Sequence, residues 1–503
     1  MRKRLFLVGT AILAAFCIPA ARSEAQTFDR IKGQVREHVI SNGMKWIVLP
    51  RGDAPVVSFH VYVDAGGANE VNGITGISHL LEHMAFKGTK IVGTRDFSAE
   101  LVVLGRLDSL YDAITREELK TKPDTAKIAA QKRDFESLRM KAQEFVVGNE
   151  FIDLFQNEGE PCINAYTSAD ATQYINALPS NRLEFWMAMT SDRFLNPVFR
   201  EFYKERDVVI EERRLRIETQ PINKLVEDFF ATAFKAHSYQ QLGIGHMSDL
   251  KRITHDDVKS YFSKYYIPSN MAAVVVGDVD PDEVFKQAEL YFGRIPGGPK
   301  PEAPRTVEPE QWGERRVQVV AQSQPILLLG YHRPDIRDRD NQAFDALANI
   351  IGKGRSSRLH RILVKEKKIA IQTGSFNGWP GSKYPNLIAF YAIPSQGRSN
   401  AECLEVILAE IEKMKTEPVG GDELTKYKRS MKKGLFDAMK QNGDMAAMLT
   451  SSEIQEGDWR KAFDGIRDVE TVTAADIQRI AKSVLTANNR TVGEVMPENP
   501  AAE

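Results

Sequence analysis

Two histidines and a glutamate stand within five positions of one another in the run His79-Leu80-Leu81-Glu82-His83. The residues around them say how they are presented. Ile77, Leu80, Leu81, Met84 and Ala85 recur at i, i+3, i+4, i+7 and i+8, the apolar stripe of an amphipathic helix. At ~100° per residue, His79, Glu82, His83 and Phe86 point to the opposite side. Gly88 suits the C-terminal cap of this helix and Lys87 the negative end of its dipole. One face is therefore buried, and the other offers two imidazoles one turn apart. At that spacing both rings can ligate a single metal ion. Glu82 is adjacent without needing to ligate, and a carboxylate beside a metal-activated water is placed to take its proton. The chain holds nine His in 503 residues, so a chance match to this pattern is expected on the order of 0.01 times.

Two histidines leave a zinc site short of a ligand. A second predicted helix supplies candidates, because Phe202, Glu205, Val208, Val209 and Glu212 share one of its faces. Two carboxylates thus interrupt an otherwise apolar stripe, and a buried carboxylate needs a cation or donors. A metal ion answers that for one of them. Spacing alone leaves an equal alternative, in which Glu205 and Glu212 pair with Arg206, Arg213 or Arg216 on an exposed helix.

These helices must be held by something, and the rest of the chain reads as two similar α+β halves. Val39-Ile40, the turn Ser41-Asn42-Gly43 and Met44 to Leu49 carry an Asn-Gly hairpin signal. Strands follow at 56–63 and 272–276. Residues 295–304, IPGGPKPEAP, form the clearest boundary in the chain. Beyond it come strands at 315–321 and 326–330, a helix from Asn341, a strand from Leu387 and a long helix from Glu402. Both halves are expected to run strands, helices, then a strand and a closing helix. Within the first half, residues 98–147 read as an inserted helical hairpin with charged outer faces, broken at Lys122-Pro123-Asp124.

Composition narrows the function classes. Of the residues, 42% are hydrophobic and 27% charged, which is ordinary globular usage. Lys+Arg 67 against Asp+Glu 68 gives a net charge of −1, so nothing electrostatic argues for nucleic-acid binding. The mean hydropathy of −0.34 excludes a multi-span membrane protein. There is no Gly-x-Ser-x-Gly and no Walker-type loop. Arg2, Lys3 and Arg4, the apolar run from Leu5 to Ala15, and Ser23-Glu24-Ala25 predict a signal peptide over 1–25. Export to an oxidising compartment, a periplasm, is the expectation, with Cys162 and Cys403 as free thiols.

The segment from Asn42-Gly43 through Gly66, Glu70, His79-Leu-Leu-Glu82-His83 and Phe86-Lys87-Gly88-Thr89 resembles the inverzincin metallopeptidases. These include pitrilysin, insulin-degrading enzyme and the mitochondrial processing peptidase. The resemblance continues at Asn164-Ala165-Tyr166-Thr167, Glu205 to Glu212, Gly277 to Asp280 and Gly354 to Leu359, and is closest to the two-domain bacterial members. It implies a zinc metalloendopeptidase (HxxEH type) of two homologous α/β-sandwich halves. Each would have a mixed, largely antiparallel sheet with helices packed on it, and the pair would form part of a clam-shell chamber. The implied limits are 26–297 for the catalytic domain, 298–312 for a linker and 313–503 for the second domain. One Zn2+ per chain would be held by His79, His83 and Glu212. Glu82 would be the general base, Glu205 would orient the site, and Asn164 and Ala165 would pair with the backbone of an extended peptide or unfolded protein. The stretch from His83 to Glu212 is longer than is usual in the family, by about the length of the 98–147 hairpin. A second departure is that Lys365 and Ile371 stand where an Arg and a Tyr that help hold substrate are expected. That resembles subunits that borrow the pair from a homologous, metal-free partner in a heterodimer; a homodimer is the other arrangement. A catalytically silent assembly subunit is the rival reading.

Overall fold

The computed structural model describes residues 28–161 and 163–498. The predicted signal peptide and Cys162 lie outside them. Among the described residues, eleven strands form two sheets. The first contains β1 (Arg36–Val39), β2 (Lys45–Pro50), β3 (Val56–Val63), β4 (Asn164–Thr167), β5 (Thr172–Pro179) and β6 (Met271–Gly277). Their order is β1-β2-β6-β3-β5-β4. The second contains β7 (Arg315–Ala321), β8 (Ile326–Arg333), β9 (Ala370–Trp379), β10 (Asn386–Pro394) and β11 (Arg490–Pro497), in the order β7-β11-β8-β10-β9. Setting β1 aside, the two orders are the same. Each has one parallel pair, β2 with β6 and β7 with β11, and is otherwise antiparallel. The fold is mixed α/β, with the same topology used twice.

The helices used below are α1 (Ile77–Met84), α2 (Phe97–Glu118), α3 (Thr125–Gln143), α4 (Phe202–Arg213), α5 (Pro221–Ala233), α6 (Asn341–Gly352), α7 (Asn400–Thr416) and α8 (Asn442–Glu456). Both faces of each sheet are covered, and the strand patterns say why. In β2, Trp46 and Val48 join one core while Ile47 and Leu49 join another. Strands apolar on both sides must be buried on both sides. On the first sheet one core takes Ile77, Leu80, Leu81 and Met84 of α1. The opposite core is filled by Met445, Ala446 and Leu449 of α8, which comes from the second half of the chain. The second sheet mirrors this. One of its faces packs α6 and α7, and the other packs Leu225, Phe229, Phe230 and Ala233 of α5, from the first half. Phe229 lies so close that a Cβ added at Gly330 or Gly493 would sit 2.7 or 2.8 Å from its ring. The halves therefore exchange one helix each.

One expectation fails here. The second half ends on a strand rather than a closing helix: β11 lies inside the sheet, between β7 and β8. Val492 and Val495, the two valines that fill opposite cores, give little period to read.

Candidate metal centre and active site

Helix α1 begins where the sequence cannot offer a Ser, Thr or Asp cap. Gly76, at φ +88°, occupies the N-cap, and Glu70 does the capping from outside. Its Oε2 accepts from Gly76 N at 2.7 Å and its Oε1 from Ser78 N at 2.9 Å. Burial pushes the Glu70 carboxyl up to about 7 despite these bonds. The helix ends at Met84 with Ala85 as its cap, so Gly88 does not cap it. Instead Gly88, at φ +86°, closes the following loop against Val92 and the Arg200 guanidinium. Arg200 is fully buried, pairs with Glu100 of α2 at 2.9 Å, and donates to the carbonyls of Lys87, Thr89 and Val92. Nor does Lys87 serve the helix dipole; its Nζ lies 2.6 Å from Glu205 Oε1.

The apolar stripe of α1 is buried as its spacing predicts, and His79, Glu82 and His83 face α4 and β4. Ligand atoms of His79, His83 and Glu212 all lie within 4.8 Å of one another. Glu212 Oε2 is 3.8 Å from His79 Nε2 and 3.5 Å from His83 Nε2. Those separations are too long for hydrogen bonds. They suit two atoms sharing one cation, since ligands bound to zinc at ~2.0–2.1 Å in a tetrahedron stand about 3.4 Å apart. Burial, then the charges of His83 and Arg216, lower the His79 imidazole to about 3, so it is neutral, as ligation requires. The donor set of two imidazoles and a carboxylate thus fits zinc.

The other predicted residues gather around this cluster. Glu205 Oε2 lies 3.5 Å from His83 Nδ1. Burial would raise its carboxyl, but His83 and Lys87 outweigh that and hold it below the usual range. Glu82 Oε2 accepts from Thr167 Oγ1 at 2.6 Å, and burial pushes its carboxyl up. Asn164 and Ala165 lie on β4, at the edge of the first sheet. The Ala165 amide is bonded by the Asn164 side chain at 2.9 Å. Val208, expected on a buried stripe, is 44% exposed between the two glutamates. Lys365 and Ile371 lie in the second half, Ile371 on β9. Cys403 is a free, buried thiol. Sequence reasoning missed Thr167 and Lys87 as partners of the site carboxylates, although both stood inside motifs it quoted.

The family profile described as "Insulinase (Peptidase family M16)" matches residues 47–118 and 138–244, and "Peptidase M16 inactive domain" matches 252–431. The chain belongs to peptidase family M16. The first match is interrupted over residues 119–137, the turn of the α2–α3 hairpin and much of α3. Among relatives, the "Zinc protease PqqE" of Helicobacter pylori is 28% identical over 450 residues, covering 88% of each chain. The "Uncharacterized zinc protease YmxG" of Bacillus subtilis is 21% identical over 456 residues, covering 90% of this chain and 96% of that one. Among solved structures, a protease from H. pylori superposes with a TM-score of 0.77 at 26% identity, over 92% of this chain and 99% of that one. The periplasmic protease PqqL from Escherichia coli shares the fold, with a TM-score of 0.68 at 17% identity, and this chain spans 49% of it. The M16 relatives named as zinc proteases place the chain in a metallopeptidase family. No helix among the described residues is long and apolar enough to cross a membrane.

Proposed function

We propose that the chain is an exported zinc-dependent endopeptidase acting on peptides or unfolded polypeptides. The observation that carries this is the convergence of His79, His83 and Glu212 beside Glu82 on a face kept clear of the core. Zinc held by those three residues would supply Lewis-acid activation of water and of the scissile carbonyl. Glu82 takes the proton of the attacking water and passes it to the departing amine. Its raised affinity for a proton suits that shuttle, and Thr167 fixes which carboxylate oxygen faces the site. Glu205, ion-paired to Lys87, holds His83 from behind. Thr167 also ties the base to β4. An extended substrate adding to that edge at Asn164 and Ala165 is thereby registered against Glu82.

Replacing Glu82 with Gln keeps an oxygen that can accept from Thr167 and removes the base. The expected outcome is a loss of about 10² to 10⁴ in peptide hydrolysis, with zinc content and Tm near wild type. Loss of zinc in Glu82→Gln would make Glu82 a ligand instead. Unaltered turnover in Glu82→Gln would show that Glu82 is not the base, and no turnover by the wild type under any condition would favour the silent assembly subunit.

A further inference from the structure

Each carboxylate of the site has a second partner that sets its rotation. Glu82 is held by Thr167 and Glu205 by Lys87. For Glu212 the partner is Arg216, whose Nη1 lies 2.7 Å from Oε1. The two oxygens of Glu212 thus face different ways, Oε1 to the guanidinium and Oε2 to both imidazoles. We propose that Arg216 is a positioning residue that holds one oxygen of Glu212 so that the other is presented to the metal. This rests on the zinc site proposed above.

Three arginines close in sequence could have served, and the structure separates them. Arg206 Nη1 donates to Tyr111 Oη at 2.6 Å and to the Ile253 carbonyl at 3.1 Å. Arg213 is taken up by Glu227 at 2.7 Å and by the Gly245 carbonyl. Arg216 alone of the three reaches a site carboxylate. Its backbone is pinned even though its side chain is 70% exposed. It lies in a π-helical turn, Arg214–Glu218, that follows α4 directly. Asn223 Nδ2 donates to the Arg216 carbonyl at 2.7 Å, and Thr219 Oγ1 donates to the Leu215 carbonyl at 2.8 Å. An exposed ion pair one helical turn apart contributes little to folding. Its geometric effect on a ligand is another matter, because losing an outer partner of a metal ligand typically costs 10- to 100-fold in metal affinity. Those two properties make the role measurable apart from stability.

The zinc-loaded full chain is challenged with a chromophoric chelator, beside Arg216→Ala, Arg216→Lys, Arg214→Ala and His83→Ala. Arg214 pairs with Glu211, outside the site, and serves as the control. Expected is a loss of zinc affinity of about 10- to 100-fold in Arg216→Ala. Its Tm in excess zinc should match wild type, Arg216→Lys should recover most of the affinity, and Arg214→Ala should behave as wild type. Wild-type retention in Arg216→Ala, with zinc lost from His83→Ala, overturns the proposal and leaves the zinc site standing. Wild-type retention in both overturns the zinc site and this inference with it. Peptide kinetics in saturating zinc give an independent reading. A restored kcat with unchanged KM is expected of Arg216→Ala. A KM that stays raised would make Arg216 a substrate contact and overturn the positioning role.

Discussion

At the scale of single residues, most polar groups among the described residues are answered locally, and the buried ones that are not include a histidine. His60 on β3 is 2% exposed, and neither ring nitrogen has a protein partner. It lies on the sheet face it shares with Val274, its direct partner on β6, and that face is covered by α8. Burial drives its imidazole down to about 4 from 6.5. The sign follows from which state binds the proton. Above pH 6.5 both states are neutral and nothing is lost. As pH falls from 6.5 towards 4, the unfolded chain takes up a proton that the folded chain refuses, and stability drops by up to about 3 kcal/mol. His60→Phe should therefore flatten the fall in unfolding free energy between pH 6.5 and 4. The comparison with wild type cancels the opposite contribution of Glu70, which is held near 7. Identical pH slopes in urea titrations of the two proteins would show that His60 is not the group responsible. No sequence feature announced His60; a histidine alternating with valines reads as an ordinary strand residue. His79 and His83 differ because a helical period surrounded them with a face that had to be buried.

At the scale of elements, the strands and helices that carry the site were legible because their periods are clean. β3, β7 and α1 begin where the alternation and the apolar stripe begin. What each helix packs against was not legible. α5 is amphipathic in the sequence, with Leu225, Phe229, Phe230 and Ala233 on one side, but nothing in that pattern says that its apolar face covers the other half's sheet. The same holds for Met445, Ala446 and Leu449 of α8. Periodicity gives the width of a buried face and carries no record of its partner. The exchange has a consequence for stability. Phe229 fills space over Gly330 and Gly493 and stands 6.2 Å from the ring of Trp379. Phe229→Ala should cost about 3–5 kcal/mol, since the sheet and its strand glycines cannot collapse into the cavity. Because α5 follows α4 and its π turn directly, the loss should spread to the site-bearing half. Hydrogen exchange would read this: protection should fall in β3 and β6 as well as in β8 and β11. Loss confined to the second sheet would mean that the halves unfold separately despite the exchange.

At the scale of the whole molecule, the repeated topology places a site on one half only. α1 follows β3 and bears His79, Glu82 and His83, whereas α6, which follows β8 in the repeat, is Asn-Gln-Ala-Phe-Asp-Ala-Leu-Ala-Asn-Ile-Ile-Gly and has no metal-binding pair. At the second-half positions where the family resemblance leads one to expect an Arg and a Tyr, this chain carries Lys365 and Ile371. Lys365 sits in the turn His360–Glu366 and Ile371 on β9, 56% exposed. Lysine offers a point charge without the planar fork of arginine, and isoleucine offers no hydroxyl to a developing oxyanion. Losing one such donor typically costs roughly 10² to 10³ in rate. On the shared-site reading, a separate subunit of the same fold would supply the missing pair. The purified chain alone should thus turn over peptides slowly, and a copurifying chain of the same two-sheet fold should raise kcat by about 10² or more. That partner should carry Arg and Tyr in its second half, and replacing them should abolish the gain while leaving zinc on His79, His83 and Glu212. Full activity from a monomer in solution, indifferent to any added chain, would sink the shared-site reading. The carbonyl-holding group would then belong to this chain, and exposed cations of its own second half would become the residues to replace.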